Sequence, residues 1–223
     1  MNLFQGYLPQ LLTGAWITVQ VACCSLLLGL LLGLLGASAE ASRFRVIRYF
    51  ATSVISVIRG LPELLVLFFI YFGGTLLLTS LMKHYVDVSA FWAGVVALGL
   101  LFGSYASQVF RAAFLAVPAG QIEAAKALGL KRWLIFSHIQ LPQAWRHALP
   151  GLGNLWLVLL KDTALVSLIG LSDLMNKAQL ASSSTRLPFT FFLTAAVFYL
   201  LLTSISQGIM RQLAQRATRH LNT

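Results

Sequence analysis

Apolar residues crowd into five stretches of this chain, at about residues 11–37, 50–81, 91–117, 149–169 and 189–210, and polar residues gather between them. Each stretch reaches or exceeds the ~20 residues that a helix needs to cross a ~30 Å hydrocarbon core. Such runs must be helical, because lipid cannot satisfy the backbone groups of an open strand or loop. The pattern therefore predicts an all-α integral membrane protein with five transmembrane helices, forming one domain over residues 1–223. The second stretch is too long for one straight crossing and is expected to tilt or break.

The short connections are polar and basic. Arg43, Arg45 and Arg48 follow the first stretch; Arg111, Lys126, Lys131, Arg132 and Arg146 lie between the third and fourth; Arg211, Arg216 and Arg219 close the chain. With five spans, all three groups fall on one side, and an excess of Lys and Arg marks the cytoplasmic side. This predicts a periplasmic N-terminus and a cytoplasmic C-terminus. The opposite side has Lys83 near Asp87, and Lys177 and Arg186 near Asp173. The polar stretch 172–187 is read as outside, partly re-entrant or lying at the interface.

Composition agrees with a membrane protein. The chain is 58% hydrophobic and 10% charged, with a mean hydropathy of +0.82. The formal charge of +10 sits in the connections rather than in one basic patch, so it argues for topology and not for nucleic acid. Cys23 and Cys24 are neighbours in an apolar helix and cannot form an ordinary disulfide there. No Cys or His spacing suggests a metal site, and His84, His138, His147 and His220 receive no role. The first residues lack the basic start and cleavage site of a removable signal peptide, so the first run is expected to stay as a membrane anchor.

Residues 118–142 form the one long polar, amphipathic interruption. Pro118 and Gly120 are expected to break the preceding helix. A short helix should restart at Gln121, with Glu123 favoured near its positive end and Gly129 at its C-terminal turn. Ala124 and Ala125 leave a shallow surface that another protein can approach. An interfacial helix lying on lipid is the alternative.

Ionisable residues inside spans are costly and mark function by default. In the second stretch, Gly60 and Pro62 weaken the helix between Arg59 and Glu63, which would lie four apart on one face. They either pair with each other or offer a carboxylate to a cationic cargo, since broken helices near the midplane build substrate sites. In the fourth stretch, Lys161 and Asp162 are adjacent and must point to different sides. Asp162 would take a cationic group, and Lys161 or Thr163 a carboxylate; interhelical pairing is the alternative. Tyr71 and Phe72 follow Glu63 by two turns and either line the same cavity or pack in the core. Ser104, Tyr105, Ser107 and Gln108 give the third stretch a similarly ambiguous polar stripe. Gly29, Gly33 and Gly36, and Gly94, Gly99 and Gly103, are read first as close packing within the subunit.

Glu123-Ala124-Ala125, Gly129 and Ile139-x-Leu141-Pro142 reproduce the spacing of the EAA loop in ABC importer permeases. Arg59-Gly60-Leu61-Pro62 resembles a motif of polar amino-acid permeases, with Glu63 where many relatives carry an apolar residue. The stretches from Leu67 to Gly73, Arg146 to Asn154 and Trp156 to Leu168 extend the likeness over almost the whole chain. Together they resemble the histidine/arginine/glutamine permease group, and within it the permeases of bacterial arginine importers. That resemblance implies a type I importer permease with a MetI-like fold in the bacterial inner membrane. It implies a second permease subunit (a paralogue or another copy), two cytoplasmic ATPase subunits and a periplasmic binding protein as partners. Glu123, Ala124, Ala125 and Gly129 would contact the ATPase. The chain carries no Gly-x-x-x-x-Gly-Lys-Ser/Thr phosphate loop, so ATP and Mg would be used by the partner and no cofactor is expected on this chain. A catalytic site on the chain itself is not indicated.

A basic amino acid, L-arginine first, is the expected cargo. Histidine, lysine, ornithine or glutamine on the same machinery is the alternative. A stand-alone secondary transporter or channel is the alternative of another class, but it would more often show inverted repeats.

Overall fold

The computed structural model describes residues 3–218, and within them not the side chains of residues 3–5, 214 and 216–218. Arg219 and His220 lie outside the described residues. Among the described residues every regular element is helical, and five helical runs are long and apolar enough to cross a membrane: Gly6–Glu40, Glu63–Met82, Ala90–Leu115, Arg132–Ile169 and Pro188–Leu213. The five-span expectation agrees with this count; several boundaries do not.

Helix α1 (Leu3–Glu40) and helix α5 (Ala90–Leu115) form the central pair. Small residues let them approach. A methyl group added at Gly33 would stand 2.8 Å from Ala106 Cβ and 3.1 Å from the Gly103 carbonyl, and one at Gly103 would stand 2.9 Å from Leu32 Cβ. Both glycines are needed for space and not for backbone freedom, which is how helices without a hydrophobic drive between them pack tightly. Their packing is internal to the subunit, as expected. Around this seam gather Val21, Leu67, Leu98, Phe102, Leu160 and Val166, all buried.

The stretch read as one long second span is two helices. Helix α2 (Arg45–Gly60) ends where Leu61 and Pro62 turn extended (ψ 143° and 137°), and helix α3 (Glu63–Phe68) restarts at once. A π-helical turn (Phe69–Gly73) joins α3 to helix α4 (Gly74–Met82). The Pro62 ring cannot continue a helix, and it pushes Leu61 out of helical geometry as well. Arg59 and Glu63 therefore do not share a helical face, and among the described residues no ion pair joins them.

The polar connection also differs from expectation. Helix α6 (Ala119–Ala127) starts directly after Pro118, which serves as its cap, and Gly120 lies inside it. Glu123 is thus mid-helix, beyond the first turn where a helix dipole would favour it. Helix α7 (Arg132–Ile135) runs through a π-helical turn (Phe136–Gln140) into helix α8 (Leu141–Asp162). The fourth span accordingly begins well before residue 149, and Pro142 sits in the first turn of α8, where its missing N–H is harmless.

A 3₁₀ turn (Thr163–Ile169) follows α8, and the left-handed Gly170 (φ 86°) ends it. Helix α9 (Leu174–Thr185) is the polar stretch of the sequence. It is wedged between α1 and helix α10 (Pro188–Thr218), burying Leu174, Ala178 and Ala181 against Leu11, Ala15, Phe191 and Ala195. Asp173 caps α9 by accepting from the Asn176 amide at 2.9 Å, and the Leu174 amide donates to Thr18 Oγ1 at 3.2 Å.

Candidate functional site

Midway along α5, Leu98, Leu101, Phe102 and Tyr105 line one wall of a cavity of about 200 Å³. Leu155, Val158, Leu159 and Asp162 of α8 line another, and Glu63 completes it. Glu63 is the first residue of α3, so its charge faces the positive end of a helix. Asp162 is the last residue of α8, where the chain passes without a break into the 3₁₀ turn. Both carboxylates are half-buried, and among the described residues neither has a cationic partner within ion-pair distance. Two acids thus line one cavity whose other walls are mostly apolar.

Arg59 of α2 does not line the cavity but stands beside it, its guanidinium 5.3 Å from the centre of the Tyr105 ring. The remaining sequence candidates go elsewhere. Lys161 points away from Asp162 into a wider cleft of about 640 Å³ between α8 and α10, with Met175, Phe192, Tyr199 and Thr203. Thr163 is 1% exposed and returns its hydroxyl to the Leu160 carbonyl at 2.7 Å, so it is not part of the acid-lined cavity. Tyr71 lies on the π-helical turn and donates a long 3.5 Å hydrogen bond to Asp87 instead of lining that cavity. Of the polar stripe on α5, Ser104 and Ser107 are spent on backbone carbonyls at 2.7 and 2.9 Å, while Tyr105 faces the cavity.

Sequence reasoning missed Glu40. It is 3% exposed at the end of α1, accepts a hydrogen bond from Gln108 Nε2 at 2.9 Å and lies 3.9 Å from Arg111. The signal was present: an acid closing an apolar run must find a partner inside the protein.

The second site is α6. Ala125 is buried and anchors it, whereas Glu123 and Ala124 are exposed. Its end is a Schellman turn: the Leu130 amide reaches the Ala125 carbonyl at 3.1 Å and the Gly129 amide the Lys126 carbonyl at 3.0 Å. Gly129 has φ 74° with open space around it. Backbone conformation alone demands glycine there. Gln143 Nε2 of α8 donates to Gln121 Oε1 at 2.6 Å, and Phe114 of α5 stacks on Phe136 at 6.0 Å. The Gln121–Gln143 bond ties the short helix to the fourth span, and the Phe114–Phe136 stack ties the start of that span to α5.

Five spans, a broken helix beside an acid-lined cavity and a protruding small-residue helix define the permease class of transport subunits. The model of the binding-protein-dependent transport system inner membrane component family matches residues 25–219, and the chain belongs to that family. It is 49% identical over 217 residues to the arginine ABC transporter permease protein ArtQ of Haemophilus influenzae, covering 97% of each chain. A crystal structure of an amino acid ABC transporter with histidines matches with a TM-score of 0.85 and 32% identity, over 97% of this chain and 99% of that one. The inward-facing methionine transporter MetNI matches with a TM-score of 0.76 over 98% of this chain and 100% of that one. At 19% identity that likeness shows the shared MetI-like fold alone. The chain is a multi-pass ABC transporter permease.

Proposed function

We propose that this permease carries a basic amino acid, L-arginine first, across the bacterial inner membrane, taking it from a periplasmic binding protein and driven by separate ATPase subunits. One observation carries the choice of cargo: Glu63 and Asp162 line one cavity, and among the described residues no cation stands within ion-pair distance of either. A guanidinium or ammonium side chain would bring positive charge to them, and Arg59, beside Tyr105, would meet the α-carboxylate. The ArtQ relative is named for arginine transport, which agrees with that chemistry. The solved relative holds histidines, so histidine is the second cargo to test.

The arginine-rich connections put the α1–α2 end, α6 and the C-terminus in the cytoplasm and the N-terminus in the periplasm. There α6 docks on the ATPase through the exposed Glu123 and Ala124, with the buried Ala125 anchoring the helix to this chain and Gly129 shaping the turn. ATP and Mg act in that partner. Two permeases, two ATPases and one binding protein make the assembly, and closure of the ATPase pair moves α6. The Gln121–Gln143 bond passes the movement to α8, and the Phe114–Phe136 stack carries it from the start of that span to α5.

The test is arginine uptake by the assembled transporter in proteoliposomes. Glu63→Gln with Asp162→Asn should raise the arginine concentration for half-maximal uptake at least tenfold, the loss of about 1.4 kcal/mol or more of binding. Basal ATP hydrolysis should persist. Unchanged uptake would remove the cation-site reading.

A further inference from the structure

Helix α2 has two unlike flanks, and both are exposed. Arg45, Arg48, Thr52, Ser56 and Arg59 follow one another along one flank at helical spacing, and each is exposed. On the opposite flank Phe50 is 71% and Val57 61% exposed, with Val54 beside them. Between the flanks Ile55 is buried, its Cδ1 within reach of Gly36 on α1. The apolar flank suits lipid. The arginine flank does not: α2 is not one of the five crossing runs, and on an amphipathic helix at the membrane surface the charged flank faces water or protein.

The position of Arg59 decides which. It lies over Tyr105, and Tyr105 lines the cavity of Glu63 and Asp162. The polar flank therefore starts at that cavity. From there it runs back to Arg45, about 21 Å at 1.5 Å per residue, alongside the end of α1. Nothing acidic is left on this route near α1, since Glu40 is buried between Gln108 and Arg111.

We propose that this flank of α2 is a wall of the cargo's exit route, and that its arginines weaken binding of a cationic amino acid from the exit side. The proposal rests on the cargo and orientation given above. The cavity acids hold a cation; the arginine flank beyond them repels it. A released cation is thus discouraged from returning, which favours one-way delivery. The coulombic effect of one arginine about 10 Å from the cargo corresponds to roughly a two- to fivefold change in binding.

Two measurements on the assembled transporter test this. The first uses a background with Cys23→Ala and Cys24→Ala, since both native thiols are free. A charged, membrane-impermeant methanethiosulfonate is applied from the cytoplasmic side. Thr52→Cys and Ser56→Cys should be labelled, and Val54→Cys should not. Equal labelling of both flanks, or none at Thr52→Cys and Ser56→Cys, overturns the wall. The second measures how much L-arginine on the cytoplasmic side halves uptake. Arg48→Gln, about 16 Å along α2 from Arg59, should lower that concentration about twofold, and the difference should shrink at high salt. An unchanged value overturns the repulsion. If arginine uptake survives Glu63→Gln with Asp162→Asn, the cavity reading falls, while the labelling contrast still stands or falls by itself.

Discussion

Glycines do opposite work in the α1–α5 seam and at the end of the short helix α6. At Gly33 and Gly103 the backbone is ordinary helix, and any added methyl group would collide with the facing helix. At Gly129 a methyl group would meet nothing, but the backbone has φ 74°. One region is rigid because two helices touch. The other holds its shape through two backbone hydrogen bonds and one permissive residue. A transporter needs both kinds: a fixed pivot inside the membrane, and a protruding element that a partner can push.

The sharpest way to break this contrast is to fill the seam. Gly33→Leu forces α1 and α5 apart and should cost about 3 kcal/mol or more. That corresponds to a fall in Tm of roughly 10 °C for a chain of this size, read by thermal unfolding in detergent. If Tm holds, the seam is not the pivot.

The ends of the seam come next. At one end Asp173 is fully buried beneath α1, where its carbonyl and Leu174 press on Gly14. Burial pushes the Asp173 carboxyl up to about 6 from 3.8, against the pull of the Asn176 and Met175 amides. The folded state therefore holds the proton more tightly than the unfolded chain. That stability is full below the unfolded value and is lost as pH rises through about 6. A two-unit shift corresponds to about 3 kcal/mol at most. Tm should fall between pH 4 and pH 7 in the native protein, and Asp173→Asn should flatten the profile. A profile that rises over that range would contradict the burial argument.

At the other end, Glu40→Ala removes the acceptor of Gln108 and should cost about 1–2 kcal/mol. Combined with Gln108→Ala, the loss should be less than the sum, because the two share one hydrogen bond. Additive losses would show that the contact is idle.

Gly129→Val should lower Tm about as little as Glu40→Ala does, since left-handed backbone costs a side chain about 1–2 kcal/mol at one exposed turn. Its effect belongs to coupling: ATP hydrolysis should continue while uptake falls. Gly129→Asn should lie between, because Asn tolerates this conformation. A large Tm loss with intact coupling would reverse the roles assigned to the two regions.

Much of this was legible in the chain. Length and hydropathy were enough for five helical crossings, because bilayer thickness and backbone hydrogen bonding leave no other choice. Gly60 and Pro62 announced the weakness in the second stretch, since both act on their own backbone. The turn at Gly129 was readable for the same reason. Other features depended on neighbours. Lys161 and Asp162 must diverge by helical geometry, but only packing sent one to the α8–α10 cleft and the other to Glu63. Thr163 and Tyr71 looked like cargo contacts by sequence proximity, and nearby partners claimed both hydroxyls. Arg59 and Glu63 would have paired on an unbroken helix; the break at Leu61 and Pro62 separated them.

By itself the sequence determined the membrane class, the number of crossings, the broken second helix and the glycine turn of α6, all set by local backbone chemistry and the solvent. Tertiary structure alone decided which acids share a cavity, which glycines are packed and which are strained, that Glu40 is held between Gln108 and Arg111, and that the arginine flank of α2 leads from the cavity. Those depend on residues far apart in the chain, and only helix packing brings such residues together.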